Sequence, residues 1–143
     1  MKSSIKWVGA VAGLLVVVVT LSAWLIMRSL EPGCGSRPIA EIPAPGGRLK
    51  AVVFEHDCGA TTDFATHVSI REASDELGQG PGNVFVADAD HGSAPRGPEG
   101  GPEVRVSWST DTLLHIAYHK RARVFLAKDR LRSVAVAYTT FER

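Results

Sequence analysis

Imidazole, carboxylate, thiol and hydroxyl groups gather in one short stretch, His56-Asp57-Cys58-Gly59-Ala60-Thr61-Thr62, and a second cluster follows at Asp88, Asp90 and His91. Carboxylate oxygens and imidazole nitrogens are metal ligands, so His56, Asp57, Asp88, Asp90 and His91 form one conceivable set for a divalent cation. With the hydroxyls of Thr61, Thr62 or Ser69, the same residues could supply a nucleophile and a base for hydrolysis. Against both readings, the chain has no G-x-S-x-G elbow, no H-E-x-x-H pair and no Walker or Rossmann glycine pattern. Its close histidine doublet, His115 and His119, falls on a strand-like run, where residues four apart lie about 13 Å from one another. The pattern therefore calls for no metal and no cofactor, and it assigns no catalytic residue. A turn is the more economical reading: Gly59 bends the backbone, and the Thr61 and Thr62 hydroxyls bond locally to close it. His56, Asp57, Thr61, Thr62, Asp88, Asp90 and His91 stand as candidate binding residues.

The chain has two cysteines, Cys34 and Cys58. An even pair in an exported domain points to a disulfide, and one bonded cysteine cannot be a nucleophile. Closing a loop of about 25 residues contributes roughly 3.5 kcal/mol on the chain-entropy model. Zinc is disfavoured, because the pair lacks the close-spaced ligand doublets that zinc sites use.

The elements that must position these residues begin with a long apolar run. Residues 7–27 read WVGAVAGLLVVVVTLSAWLIM, without a charge. At 1.5 Å per residue the run is about 32 Å long as a helix, enough to cross a hydrocarbon core of about 30 Å. Trp7 and Trp24 lie near its two ends, where amphipathic rings prefer the interface. Lys2 and Lys6 precede it, and with the disulfide pair on its far side they orient the N-terminus toward the cytoplasm. The expected organisation is a cytoplasmic tail at 1–6, a transmembrane helix at 7–27, a Pro/Gly-rich linker at 28–47 and an extracytoplasmic β-domain at 48–143. The bacterial inner membrane is the implied location, with the lipid bilayer as one partner through residues 7–27 and an envelope protein as another.

Within the linker, EPGCGSRPIAEIPAPGG carries four prolines and four glycines, which exclude helix and central strand and leave an extended spacer. From Arg48 the pattern turns to β. Alternating or β-branched runs around 48–57, 66–72, 83–88, 103–108, 112–118, 122–128 and 133–140 predict about seven short strands. Ser109-Thr110-Asp111 marks a hairpin. The expected fold is all-β: one N-terminal transmembrane helix, then a small antiparallel β-sandwich or half-barrel. Residues 89–102, ADHGSAPRGPEGGP, form a connection of a length that serves either as a binding loop or as an excursion between strands.

Net charge at pH 7 is +1, so nucleic acid is not an implied partner. A local excess of cations after Lys120 suits the solvent face of edge strands.

The combination of PGGRLKAVVFEHDCGATTDFATHVSI, GNVFVADADHG, a Gly/Pro loop and EVRVSW resembles a family of small uncharacterised bacterial proteins with an N-terminal membrane segment and a Cys-Gly-Ala-Thr-Thr motif. The resemblance covers roughly residues 45–138 and implies an exported, membrane-anchored domain. It carries over no activity and no catalytic residue.

Overall fold

The computed structural model describes residues 2–29, 34–58 and 63–142, with helix side chains described from 13 to 27. The chain divides into two compact units, residues 1–32 and 33–143. The first is a single helix, α1 (Lys2–Ser29). Its described side chains are exposed, and the Thr20 hydroxyl is absorbed by the helix, donating to the Val16 carbonyl at 2.9 Å. Among the described residues no helix is long and apolar enough to cross a membrane.

The described residues of the second unit form nine strands: β1 (Gly35–Pro43), β2 (Leu49–Asp57), β3 (Ala65–Glu72), β4 (Phe85–Asp88), β5 (Val104–Thr110), β6 (Leu113–His119), β7 (Arg123–Ala127), β8 (Arg130–Leu131) and β9 (Val134–Phe141). They form a five-stranded sheet in the order β1-β2-β3-β4-β7 and a four-stranded sheet in the order β5-β6-β9-β8. Seven of these strands answer to the alternating runs of the sequence. The other two are β8, only two residues long, and β1.

β1 corrects the domain boundary. Residues 28–47 were expected to be a spacer, yet Gly35–Pro43 pairs antiparallel with β2 along its length. The prolines are accommodated because β1 is an edge strand, and the register shifts between Pro38 and Ala40. A residue without an N–H costs least where no neighbour waits for the hydrogen bond, or at a bulge.

The second correction concerns strand direction. β6 and β9 pair in parallel, so the four-stranded sheet is mixed rather than antiparallel. The cause is the path between them: β7 crosses to the edge of the other sheet beside β4, and β8 then pairs antiparallel with β9. A parallel pair requires such a crossover.

The two sheets share one core. Ala51, Val53, Val68, Phe85 and Ala87 contribute from the first, and Leu114, Ile116, Val134 and Val136 from the second. Two polar ties lock the layers. Trp108 Nε1 donates to the Ile42 carbonyl at 3.0 Å, and the Tyr138 hydroxyl reaches the Lys128 carbonyl at 2.7 Å. Burial, with Tyr118 and Asp129 nearby, pushes the Tyr138 phenol up to about 12, which keeps it a donor.

β2 is buried on both faces. Ala51 and Val53 point into the core, while Val52, Phe54 and His56 alternate to the opposite face. Residues 73–83 lie over part of that face, where the Gly82 N–H donates to His67 Nδ1 at 2.8 Å and the Asn83 N–H to Ser69 Oγ at 3.1 Å. Glycine is required at position 82. A Cβ there would sit 2.7 Å from the Phe85 carbonyl oxygen and 2.9 Å from that of Val68, and both are backbone atoms that cannot rotate away.

Candidate functional site

Strand register assembles a polar row on this outer face. His56 on β2 lies opposite Ala65 on β3, Ala65 opposite Asp88 on β4, and Asp88 opposite Arg123 on β7. One residue pair along, Phe54 lies opposite His67 and His67 opposite Val86. Side chains directly opposite one another on one face are neighbours, so the two rows form one surface. A cleft of about 390 Å³ opens over it. Its floor is Ala65 and Val86, Phe125 stands at one side, and His56, His67, Asp88 and Arg123 supply polar groups.

The loop at 89–102 closes the same end. Ala89 accepts from Gly92 and Ala94, which makes a tight turn. Asp90 and His91 take left-handed φ values of 47° and 54°, a conformation that Asp and His tolerate better than most side chains. Asp63 holds the turn in place, accepting from the His91 N–H at 3.1 Å and from Arg96 Nη2 at 3.0 Å. These ties bring His91 to the cleft wall. Farther on, Thr66 Oγ1 donates to the Pro102 carbonyl at 2.8 Å, and Arg37 pairs with Glu99 at 2.6 Å. Residues 89–102 therefore form an ordered rim rather than a loose excursion.

Asp88, Arg123, His56 and His67, which line the cleft, each have a partner. The Asp88 carboxylate accepts two hydrogen bonds from the Arg123 guanidinium, with the Nε contact at 3.2 Å, and one from the Asp90 N–H at 2.9 Å. Its side chain is 5 % exposed. The hydrogen bond that Arg123 donates to Asp88 raises the guanidinium above its ordinary value, so it stays charged. Asp90 adds a longer contact to the same guanidinium at 3.7 Å.

The imidazoles divide the work. His67 Nδ1 accepts from the Gly82 N–H, so in the neutral ring the proton sits on Nε2. Burial, reinforced by the neighbouring His56, lowers His67 to about 4 and keeps it neutral. The His56 and His67 ring centroids are 4.9 Å apart. His56 Nδ1 lies 2.9 Å from Ser36 Oγ, and its Nε2 lies 3.5 Å from Cys58 Sγ. Cys58 is bonded to Cys34, so its sulfur has no proton to give. That assigns the neutral His56 proton to Nε2, and the Ser36 hydroxyl donates to Nδ1.

The disulfide follows from register. Gly35 lies opposite Asp57 and Ser36 opposite His56, so the next position out sets Cys34 across from Cys58, with Cα atoms 4.1 Å apart. The predicted pair is present.

Of the sequence-selected residues, His56, Asp88 and His91 converge on the cleft, and Asp90 joins its rim through Arg123. Asp57 does not line it, because strand alternation turns residue 57 away from residue 56. Thr61 and Thr62 lie outside the described residues. Asp63, His67, Arg123 and Phe125 were not singled out. His67 carried a signal, a polar position alternating with Val68 and Ile70, but the same signal describes any solvent face. Arg123 stood within the basic run after Lys120, where nothing marks it as a partner of Asp88.

No protein-family model, no curated protein and no solved structure matches this chain.

Proposed function

We propose that this is a single-pass, membrane-anchored β-domain of the bacterial envelope, lying outside the cytoplasm, that binds a partner in the cleft of its five-stranded sheet. One observation carries the binding reading. His56, His67, Asp88, His91 and Arg123 meet at a cleft of about 390 Å³, where Asp88 is already paired with Arg123 and the His56 and His67 tautomers are already held. A carboxylate that accepts three hydrogen bonds is neither a ready base nor an open metal ligand. An apolar floor with a few fixed polar groups is the composition of a recognition site. The occupant it suits is an uncharged polar group on an apolar stem, received by the His67 Nε2–H and packed against Val86 and Phe125.

The anchor rests on residues 7–27, which hold no charge, and on the exposure of α1, where apolar side chains from Leu14 to Met27 are 51–71 % exposed. The resemblance to exported, membrane-anchored proteins points the same way, as does the disulfide. The β-domain itself is read as a small β-sandwich.

Site-specific photocrosslinkers placed at His91 and Phe125 in cells test the cleft. A discrete adduct from both positions, absent from Ser107 on the other sheet and lost on adding Phe125→Asp in the His91-labelled chain, supports it. Equal adducts from both sheets, or none from the cleft, sink it. The anchor is tested by an alkaline phosphatase fusion after residue 143. Enzyme activity in cells and retention in alkali-washed membranes are expected, with release to the soluble fraction when residues 1–32 are deleted.

One contact favours a second reading. The Ser36 hydroxyl donates to His56 Nδ1 at 2.9 Å, the contact of a nucleophile with its base. A hydrolase of this kind would label at Ser36 with a fluorophosphonate and lose the label in His56→Ala. Absence of labelling in the wild type removes it.

A further inference from the structure

We propose that Cys34, Cys58 and His56 form a binding site for a thiophilic d10 cation, Zn(II) or Cu(I), closed by the disulfide and opened by its reduction. The inference is independent of what occupies the cleft.

The ladder between β1 and β2 places all three donors at one end of one strand pair. Cys34 lies across from Cys58, and His56 precedes Cys58 by two residues, which returns its side chain to the same face. Both sulfurs and a His56 ring nitrogen lie within 4.8 Å of one another. In a tetrahedral site, bonds of about 2.3 Å to sulfur and about 2.0 Å to nitrogen set the donor atoms about 3.6 Å apart for N···S and about 3.8 Å apart for S···S. The observed separation of His56 Nε2 from Cys58 Sγ is 3.5 Å, already the edge of such a tetrahedron. The two sulfurs must part, and Cys34 Sγ, which lies within 4.8 Å of a His56 ring nitrogen, must settle at the same edge length; the Cα atoms of the pair are 4.1 Å apart. Ser36 completes the arrangement. When Nε2 binds an ion, Nδ1 carries the proton and donates to Ser36 Oγ at 2.9 Å, the orienting contact that metal-bound imidazoles make.

The chemistry balances as follows. A dithiol or phosphine reductant delivers two electrons, the sulfur–sulfur bond breaks, and two protons give two thiols. Binding of the cation displaces both protons, so two thiolates and a neutral imidazole would hold it, leaving a fourth position for water. Thiolate and imidazole together select zinc and copper over magnesium or calcium. In the oxidised chain the same residues offer no thiolate. His67 is left out of the set, because its Nδ1 is occupied by the Gly82 N–H.

The test uses the full-length chain in detergent, reduced with a phosphine that is then removed without air. Titration with Co(II) is expected to give one equivalent of a tetrahedral spectrum with sulfur-to-cobalt charge transfer, displaced by Zn(II). A chromophoric chelator should lose Cu(I) to the reduced chain and keep it against the oxidised one. His56→Ala should weaken binding at least tenfold, and Ser36→Ala by about tenfold. If reduction alone unfolds the domain, added Zn(II) must restore the β-sheet circular dichroism. The proposal is overturned by no stoichiometric cobalt spectrum, by equal metal uptake in the oxidised chain, by full affinity in His56→Ala, or by failure of zinc to refold a reduction-unfolded chain.

Discussion

His67 shows how one buried imidazole makes a domain sensitive to acid. Its ordinary value is 6.5, and the fold lowers it to about 4. The unfolded chain therefore takes up the proton first. Stability from this group is full above about pH 6.5, falls as the pH drops through the window toward 4, and is lost below it. That span corresponds to about 3 kcal/mol. Urea unfolding at pH 7, 5 and 4 should show His67→Gln losing less stability on acidification than the wild type, since glutamine can still accept from the Gly82 N–H without charging. A parallel loss in the two chains would refute the assignment. The Asp88–Arg123 pair makes a second prediction at this scale. Arg123→Ala leaves a carboxylate buried and unpaired, and Asp88→Asn removes that charge. The double variant should melt above Arg123→Ala alone, a sign that only a desolvated charge produces. Little of this was legible beforehand. His56, Asp88 and His91 were visible as reactive types, but pairing of Asp88 with Arg123 spans 35 positions and depends on a register shift between β4 and β7, where Phe125 is passed over.

Among the elements, β1 departs most from expectation. Its prolines and glycines speak against strand in any local reading, and locally they are right, for no sheet interior would take them. What local composition does not hold is the edge vacancy beside β2, nor the covalent bond that seats Cys34 at its end. By contrast β2, β3, β5 and β6 were legible because one face or both are buried, so alternation or a continuous apolar run marks them. The staple makes β1 testable. Cys34→Ser with Cys58→Ser should cost about 3 kcal/mol in equilibrium unfolding. Hydrogen exchange should then rise first in residues 35–38 of β1 and 54–57 of β2, with β6 and β9 protected. Uniform loss of protection across both sheets would show that the bond holds the whole domain rather than one edge. Gly82→Ala is expected to destabilise by about 1–3 kcal/mol, the range for overpacking, because carbonyl oxygens at 2.7 and 2.9 Å must yield.

At the scale of the whole molecule, the two sheets depend on different parts of the chain. β1 sits at an edge, whereas β9 lies inside its sheet, paired with β6 on one side and β8 on the other. It also carries Val134 and Val136 into the core and Tyr138 across to the first sheet. Deleting residues 134–143 should therefore abolish the cooperative thermal transition, while deleting 1–43 should lower its midpoint and leave it cooperative. The all-β class was legible in the sequence, but this hierarchy was not, since no periodicity distinguishes an edge strand from an inner one.

That interior strand is also the last of the described strands in chain order. Until residues 134–141 join the fold, β6 has a neighbour only in β5, and the core lacks Val134 and Val136. Cys34 and Cys58 sit at the end of the other sheet and are only half-buried, so an oxidant reaches them whether or not β9 is in place.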